Sequence, residues 1–389
     1  MLTKKSRLLT LCLLVALASS SIAMAAPMTS NPDTMPKAYT TGAHSANEVL
    51  PGKSPITGLD WEGDYRPLVV QISNSKEARP HWNFSEADVV YESIYWGPGH
   101  TRYTAIYSDN HPDYVGSIRS ARVSHCEIRQ EWDAPFVFFG GQDTSGTSIY
   151  DFFKANGVDA QFRIDGTKGG QGFSRESTRV NPHNAVADLA AMVANSWPTK
   201  EDGSPYEPKM HAYRFSTTPT YGADTAKEIH VIYDESDYYP HYTYNASERV
   251  YERWYNGEEQ YDGRSNKRIV ASNVIVQYAD LSYFQNSRSR PVINMVGSGV
   301  MDAFIDGRHI RGSWERKTMN DRTVFVDGNG EEITMLPGKT FIQVIPSSAT
   351  FTYIRDDNTE VEMAFGTEPV PTATFDQTES DAEIDKMEE

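Results

Sequence analysis

Pro67-Leu68-Val69-Val70-Gln71-Ile72 is a nearly continuous apolar run of strand length. A strand with that pattern is buried on both faces. It gives way to the polar stretch from Ser73 to Pro80, and two further strand-like runs follow, Asp88 to Tyr95 and Tyr103 to Tyr107. A helix is predicted from the stretch Gly116-Ser117-Ile118-Arg119-Ser120-Ala121-Arg122 to about Trp132, and Phe136 to Phe139 reads as a fourth strand. Ser148 to Asn156 and Ala185 to Asn195 read as further helices. Strands alternating with helices, with polar glycine loops such as Gly140-Gly141 after the strands, predict an α/β sheet. Its site is expected at the strand ends.

The second half has a different rhythm. Short runs of Tyr, Val, Ile and Phe are punctuated by Asn256-Gly257, Asp306-Gly307, Asp327-Gly328-Asn329-Gly330 and Pro337-Gly338. Turn pairs between short strands predict antiparallel hairpins. The expected class is therefore α+β overall. An N-terminal α/β sheet domain over 56–198 is followed by a connector over 199–234 and a smaller, mainly antiparallel β domain over 235–350.

Residues 1–25 read as a secretory signal. Lys4, Lys5 and Arg7 precede an apolar core from Leu8 to Ala18, and Ala23-Met24-Ala25 is a small-x-small cleavage site. An uncleaved N-terminal anchor is the alternative. Cys12 lacks the small preceding residue of a lipidation signal, so lipidation is not expected. Residues 26–55 have the composition of a disordered linker and 351–389 that of an acidic disordered tail. The predicted location is extracytoplasmic, in the secreted or periplasmic cell envelope.

Removing residues 1–25 takes the formal charge from −17 to −20. Residues 355–389 hold twelve acids against Arg355 and Lys386, so half of the mature charge lies in the tail and the folded body is only mildly acidic. The acidic balance argues against nucleic acid as a partner. One cysteine remains, Cys126, which precludes an internal disulfide and reads as a small core residue.

The candidate chemistry centres on the stretch 116–122. Ser117 or Ser120 is expected to cap the helix, which places Arg119 and Arg122 in its first turns. Free N–H groups and the dipole favour anions there, and two guanidinium forks suit carboxylate or phosphate. The plainer alternative is arginines that lie over the core and pair with acids. Glu92, inside an apolar strand, needs a partner, and Arg102 on the neighbouring strand is the expected one. The Gly-rich loop over 166–184 contributes Arg175, His183 and Asn184. His183 is either a general acid or base or a polar residue opening a helix. Asp143 could orient an arginine, take a proton, or cap the helix at Ser148. The anion-binding set is thus Arg102, Arg119, Ser120, Arg122, Arg175 and Asn184, with Asp143 and His183 as the acid–base candidates of an enzyme. No zinc, nucleophile-elbow, phosphate-loop or dinucleotide motif is present, and neither metal nor cofactor is expected.

Asn74 to Pro80, Ala87 to Glu92, Thr101-Arg102, Gly116 to Arg122, Gly140-Gly141 and Pro182-His183-Asn184 together resemble the YerB-like family of bacterial envelope proteins. So do Ala271 to Gln277, Val296 to Gly299, Gly312-Ser313-Trp314 and Asp321-Arg322-Thr323 in the second half. Members are often lipoproteins and have no assigned function, so the resemblance implies architecture and compartment but no reaction. More loosely, a strand followed by an Arg-Ser helix start and a Gly-Gly loop resembles the LytR-CpsA-Psr envelope transferases. That likeness implies phosphoryl or glycan transfer, or hydrolysis, on envelope polymers as the enzymatic alternative. The leading expectation is an exported protein that binds an anionic cell-wall precursor or lipid-linked ligand. A third reading is a scaffold whose β domain docks an envelope protein partner, with its arginines paired to Glu92 and Asp143.

Overall fold

The computed structural model describes residues 47–97, 99–234, 238–287 and 289–367. The signal segment, most of the linker and residues 368–389 of the tail lie outside the described residues. The apolar run after Pro67 is the strand Leu68–Ser73, with all six residues buried. It pairs antiparallel with His100–Tyr107, which pairs antiparallel with Val89–Trp96. On its other side Phe136–Phe138 and then Arg163–Asp165 run parallel to it.

The sheet does not stop at the end of the first half. Residues 89–92 run parallel to the start of Thr340–Pro346, which runs parallel to Asn273–Tyr283. Gly297–Ile305, Arg308–Arg316 and Val324–Asp327 then continue it antiparallel. One mixed sheet of eleven strands therefore draws on both halves of the chain.

Successive side chains of a strand point to opposite faces, and each face of this sheet has its own cover. Val69, Tyr91, Ile106 and Phe136 belong to one core cluster with Ile128 and Trp132 of helix α1 (Val123–Trp132) and Phe153 of helix α2 (Ile149–Ala155). Leu68, Val70, Ile72 and Tyr103 belong to another, with Ile229, Tyr242, Tyr251 and Phe351 of a second sheet. That sheet has the order Glu258–Glu259, Val250–Tyr255, Pro240–Asn245, Glu228–His230, Thr350–Ile354, Glu360–Ala364, with Val270–Ala271 beside Val250–Tyr255. The fold is mainly β. The strand–helix alternation is present over 123–165, but its helices cover one face only; the expected α/β sheet is corrected in that a β-sheet covers the other. Buried-on-both-faces strands require two covers, and the pattern alone does not say what they are made of.

The tail prediction is also corrected over its first part. Thr350–Ile354 and Glu360–Ala364 form a hairpin. Phe351, Tyr353 and Met363 are buried, while Thr350, Glu360 and Glu362 are exposed. Acids on the outer face of an edge strand discourage pairing with other chains, and their number hid the alternation beneath.

Three helix expectations resolve differently. α2 lies within the predicted 148–156 and is capped by Ser148, whose hydroxyl accepts the Asp151 N–H at 3.3 Å. The stretch 185–195 divides into the strand Ala185–Ala187 and helix α3 (Leu189–Asn195), capped by Asp188. α1 begins only at Val123, with Arg122 as its N-cap residue.

Residues 117–121 are extended instead and cross the carboxyl ends of two parallel strands. Ser73 N–H donates to the Ser117 carbonyl at 2.9 Å and Arg119 N–H to Gln71 at 2.9 Å. Phe139 N–H donates to Arg119 at 3.0 Å and Ala121 N–H to Gly140 at 3.0 Å. These ladder bonds, which satisfy backbone groups at the strand ends, fix the positions of Arg119, Ser120 and Arg122.

Candidate functional site

Arg102 lies opposite Ser93 in the strand register, and Tyr103 lies opposite Glu92. Arg102 and Glu92 therefore leave the sheet on opposite faces, and the expected pair between them does not form. Glu92 is paired instead with Arg253 of the second sheet at 2.7 Å, with both side chains at most 1% exposed. Asn74, Thr101 and Tyr255 also donate to its carboxylate, at 2.9, 2.6 and 3.0 Å.

On the other face Arg102 is 2% exposed, and its guanidinium carbon sits 3.7 Å from the centroid of the Tyr95 ring. Its Nη1 donates to the Ser120 carbonyl and, at 3.2 Å, to the Ser120 hydroxyl. Arg122 donates to the same hydroxyl at 3.4 Å and to the Ala121 carbonyl at 3.0 Å, and its guanidinium carbon is 5.6 Å from the same ring. Two guanidiniums thus converge on one small group. The Nε atoms of Arg102, Arg119 and Arg122 are all buried without a hydrogen-bond partner. Among the described residues no acid forms an ion pair with any of the three, and the Arg119 guanidinium makes no hydrogen bond.

Such an arrangement is electrostatically costly. Like charges at close range repel by a few kcal/mol at an effective dielectric of ~20. Burial, reinforced by Arg122, lowers the pKa of Arg102 to about 9. Burial likewise lowers Arg119 and Arg122. Arg102 is still charged at neutral pH. The Arg122 N–H donates to His125 Nδ1 at 3.0 Å at the start of α1. The positive charge here is that of the guanidiniums.

The loop over 166–184 closes on the same region. Arg175 lies over the Phe139 ring, its guanidinium carbon 4.4 Å from the centroid. It donates to the side-chain oxygens of Asn181 and Asn184 at 3.1 and 2.8 Å. His183 Nδ1 is 2.9 Å from the Ser75 hydroxyl. Burial first, and then the charge of Arg119, hold its pKa below the usual histidine range. It is a neutral imidazole at neutral pH, able to donate or accept one proton in a hydrogen bond.

Asp143 follows Gln142, whose N–H donates to the Ala121 carbonyl at 3.2 Å, but among the described residues its carboxylate forms no ion pair with these arginines. It is exposed at the start of α2 and accepts from the Ser148 hydroxyl at 2.7 Å. The cap of α2 is Ser148 itself, and Asp143 only holds the Ser148 hydroxyl. Two participants were not anticipated. Tyr95 supplies the ring under Arg102 and Arg122; it lies two residues after Ser93, on the strand face that carries Arg102, and that parity was its signal. Arg179 sits 3.7 Å from the Trp82 ring and donates to Ala78 and the Ser117 hydroxyl at 2.8 and 3.3 Å. Nothing in the sequence pairs those segments. Among the described residues no group of His, Cys, Asp and Glu could hold a metal ion, and no helix is long and apolar enough to cross a membrane.

Fold and site together define a mainly β protein of two domains with a partly buried arginine cluster at the ends of its central strands. The N-terminal and C-terminal domain models of the protein family of unknown function DUF3048 match residues 56–201 and 229–342. The chain belongs to that family, which is the YerB-like family. It is 27% identical over 306 residues to "Putative lipoprotein YerB" of Bacillus subtilis (strain 168), covering 76% of this chain and 86% of the relative. The crystal structure of the Bacillus subtilis YerB protein matches with a TM-score of 0.63 at 25% identity, covering 75% of this chain and 96% of that one.

Proposed function

We propose that this chain is an extracytoplasmic envelope protein that binds an anionic ligand, bearing phosphate or carboxylate, between Arg102, Arg119 and Arg122. The observation that carries this reading is the set of three buried guanidinium Nε–H donors without an acceptor, on a segment that no acid neutralises among the described residues. The compartment is supported by the signal-like first 25 residues and by the lipoprotein name of the relative. A scaffold would be expected to pair its arginines with Glu92 and Asp143. Those acids are instead engaged by Arg253 and Ser148, which supports binding over scaffolding. In the enzymatic version the acid–base group is His183, whose pKa burial and Arg119 lower, or Asp143, which accepts from the Ser148 hydroxyl.

Thermal unfolding of the full chain in the presence of inorganic phosphate, sulfate, acetate and muropeptides tests the proposal. A ligand at 100 times its Kd adds ~2.7 kcal/mol of stability. The expected result is stabilisation of the wild type that disappears in folded Arg119→Ala/Arg122→Ala. Absence of any anion effect on the wild type, or an equal effect on the variant, overturns it.

A further inference from the structure

Resting on the anion-binding reading, we infer that the cluster selects a terminal phosphate, singly esterified and doubly charged, over a carboxylate or a phosphodiester. The first ground is charge. Arg102, Arg119 and Arg122 bring three guanidiniums together, and among the described residues none has an acid in ion-pair contact. A carboxylate has one charge and two oxygens, which a single guanidinium fork already satisfies. A diester also has one charge and only two free oxygens. A phosphate monoester carries about −1.5 to −2 at neutral pH and offers three strong acceptor oxygens.

The second ground is the direction of approach. The donors come from two separate elements, the strand His100–Tyr107 and the crossing segment 117–122. The Nη1 atoms of Arg102 and Arg122 meet at Ser120 Oγ, at 3.2 and 3.4 Å, while each residue keeps an unpartnered, buried Nε. Donors converging from two elements suit a tetrahedral acceptor with three oxygens better than a planar one with two. Arg102, 2% exposed, is committed to the site, because its stacking on Tyr95 and its bonds to Ser120 leave it no route to solvent.

The third ground is what surrounds the cluster. Arg175 and His183 are the groups brought in by the loop 166–184, one a cation and the other a neutral donor or acceptor. The extra positive charge favours the dianion further. A lipid headgroup, a phosphorylated glycan and a free phosphate share this chemistry.

The test is calorimetric titration of the full chain with glycerol 3-phosphate (a terminal monoester), glycerophosphocholine (a diester), inorganic phosphate and acetate. One charge-assisted hydrogen bond lost to the diester or to acetate corresponds to about tenfold or more in affinity. Monoester affinity is expected to exceed both by that factor and to rise with pH through the second phosphate ionisation near ~6. Arg119→Lys keeps the charge but removes the fork, and its side chain holds no internal bond whose loss would unfold the chain. It is expected to narrow the monoester preference.

Equal binding of acetate, diester and monoester overturns the phosphate assignment and leaves anion binding standing. No binding of any anion overturns both. Vesicles of phosphatidylcholine with and without phosphatidic acid separate the sources. Tighter binding to phosphatidic acid than to glycerol 3-phosphate assigns the phosphate to a lipid, equal binding assigns it to a soluble or glycan-borne group, and both uphold the class.

Discussion

Two arginine-bearing regions sit back to back on the same pair of strands. On one face, Arg253 meets Glu92 inside a closed network whose members lie on both sheets. On the other, one residue along from Tyr103, Arg102 joins Arg119 and Arg122 with no counter-ion among the described residues. Arg253 and Arg102 are buried alike, while Arg119 and Arg122 are half-buried, and the chemistry of the two faces is opposite. A buried charge that has its partner within the chain joins elements together. A buried charge without one attracts a charge from outside.

The largest effect is expected from breaking the partnered side. Arg253→Met leaves the Glu92 carboxylate buried without its cation and should cost ~3–5 kcal/mol in urea unfolding. Replacing both members, as in Glu92→Leu/Arg253→Met, should recover most of that loss. If the single and double variants are equally destabilised, Arg253 acts by packing and not by charge.

An intermediate case sharpens the contrast. Glu127 in α1 is buried, with the Met295 N–H donating at 3.4 Å and Arg316 nearby. Burial outweighs Arg316 and raises its pKa from 4.5 to about 7. The folded state therefore holds a proton that the unfolded state releases, so this contribution is full below pH ~4.5 and is lost as pH rises through ~7, on the order of 3 kcal/mol. Stability measured from pH 5 to 8 should fall for the wild type and fall less for Glu127→Gln. A steeper fall in the variant would contradict the assignment.

Asp143→Ala should cost no more than ~1 kcal/mol, the scale of the one hydrogen bond it accepts from Ser148, and should leave anion binding unchanged. Loss of binding would return Asp143 to the site. The smallest stability effect is expected at Arg119. Because its guanidinium holds no internal bond, Arg119→Ala should change unfolding stability by less than ~0.5 kcal/mol, or raise it by relieving repulsion. A destabilisation comparable to that of Arg253→Met would make Arg119 structural.

The strands and their order of burial were legible because period-2 and continuous apolar runs survive in any tertiary setting. Leu68–Ser73, Val89–Trp96 and α2 lie close to where the pattern puts them. What covered those strands was not legible. A sheet and a layer of helices impose the same demand on Val70 and Ile72, and only the return of Thr340–Pro346 beside Val89–Trp96 shows that the two halves share one sheet.

At the site, residue types and the strand-end location were readable at Arg102, Arg119, Ser120 and Arg122. Their backbone was not. Ser117 and Ser120 look like helix caps, but ladder bonds to Gln71, Ser73 and Phe139 hold the segment extended, a tertiary override of local propensity. The Glu92–Arg102 expectation failed on parity. Adjacency of strands says two residues are near, whereas register says which face each one takes.

The most direct test compares the two faces in one sample. The full chain, labelled at its arginine side chains, is followed by the Nε–H resonances of Arg102, Arg119, Arg122 and Arg253 while inorganic phosphate is added. Arg253 Nε already donates to the Tyr242 hydroxyl at 3.3 Å, whereas the other three have no acceptor. Saturable shifts at Arg102, Arg119 and Arg122 with Arg253 unmoved are the predicted result. Three unmoved resonances on the open face, or shifts of equal size at all four, would contradict it.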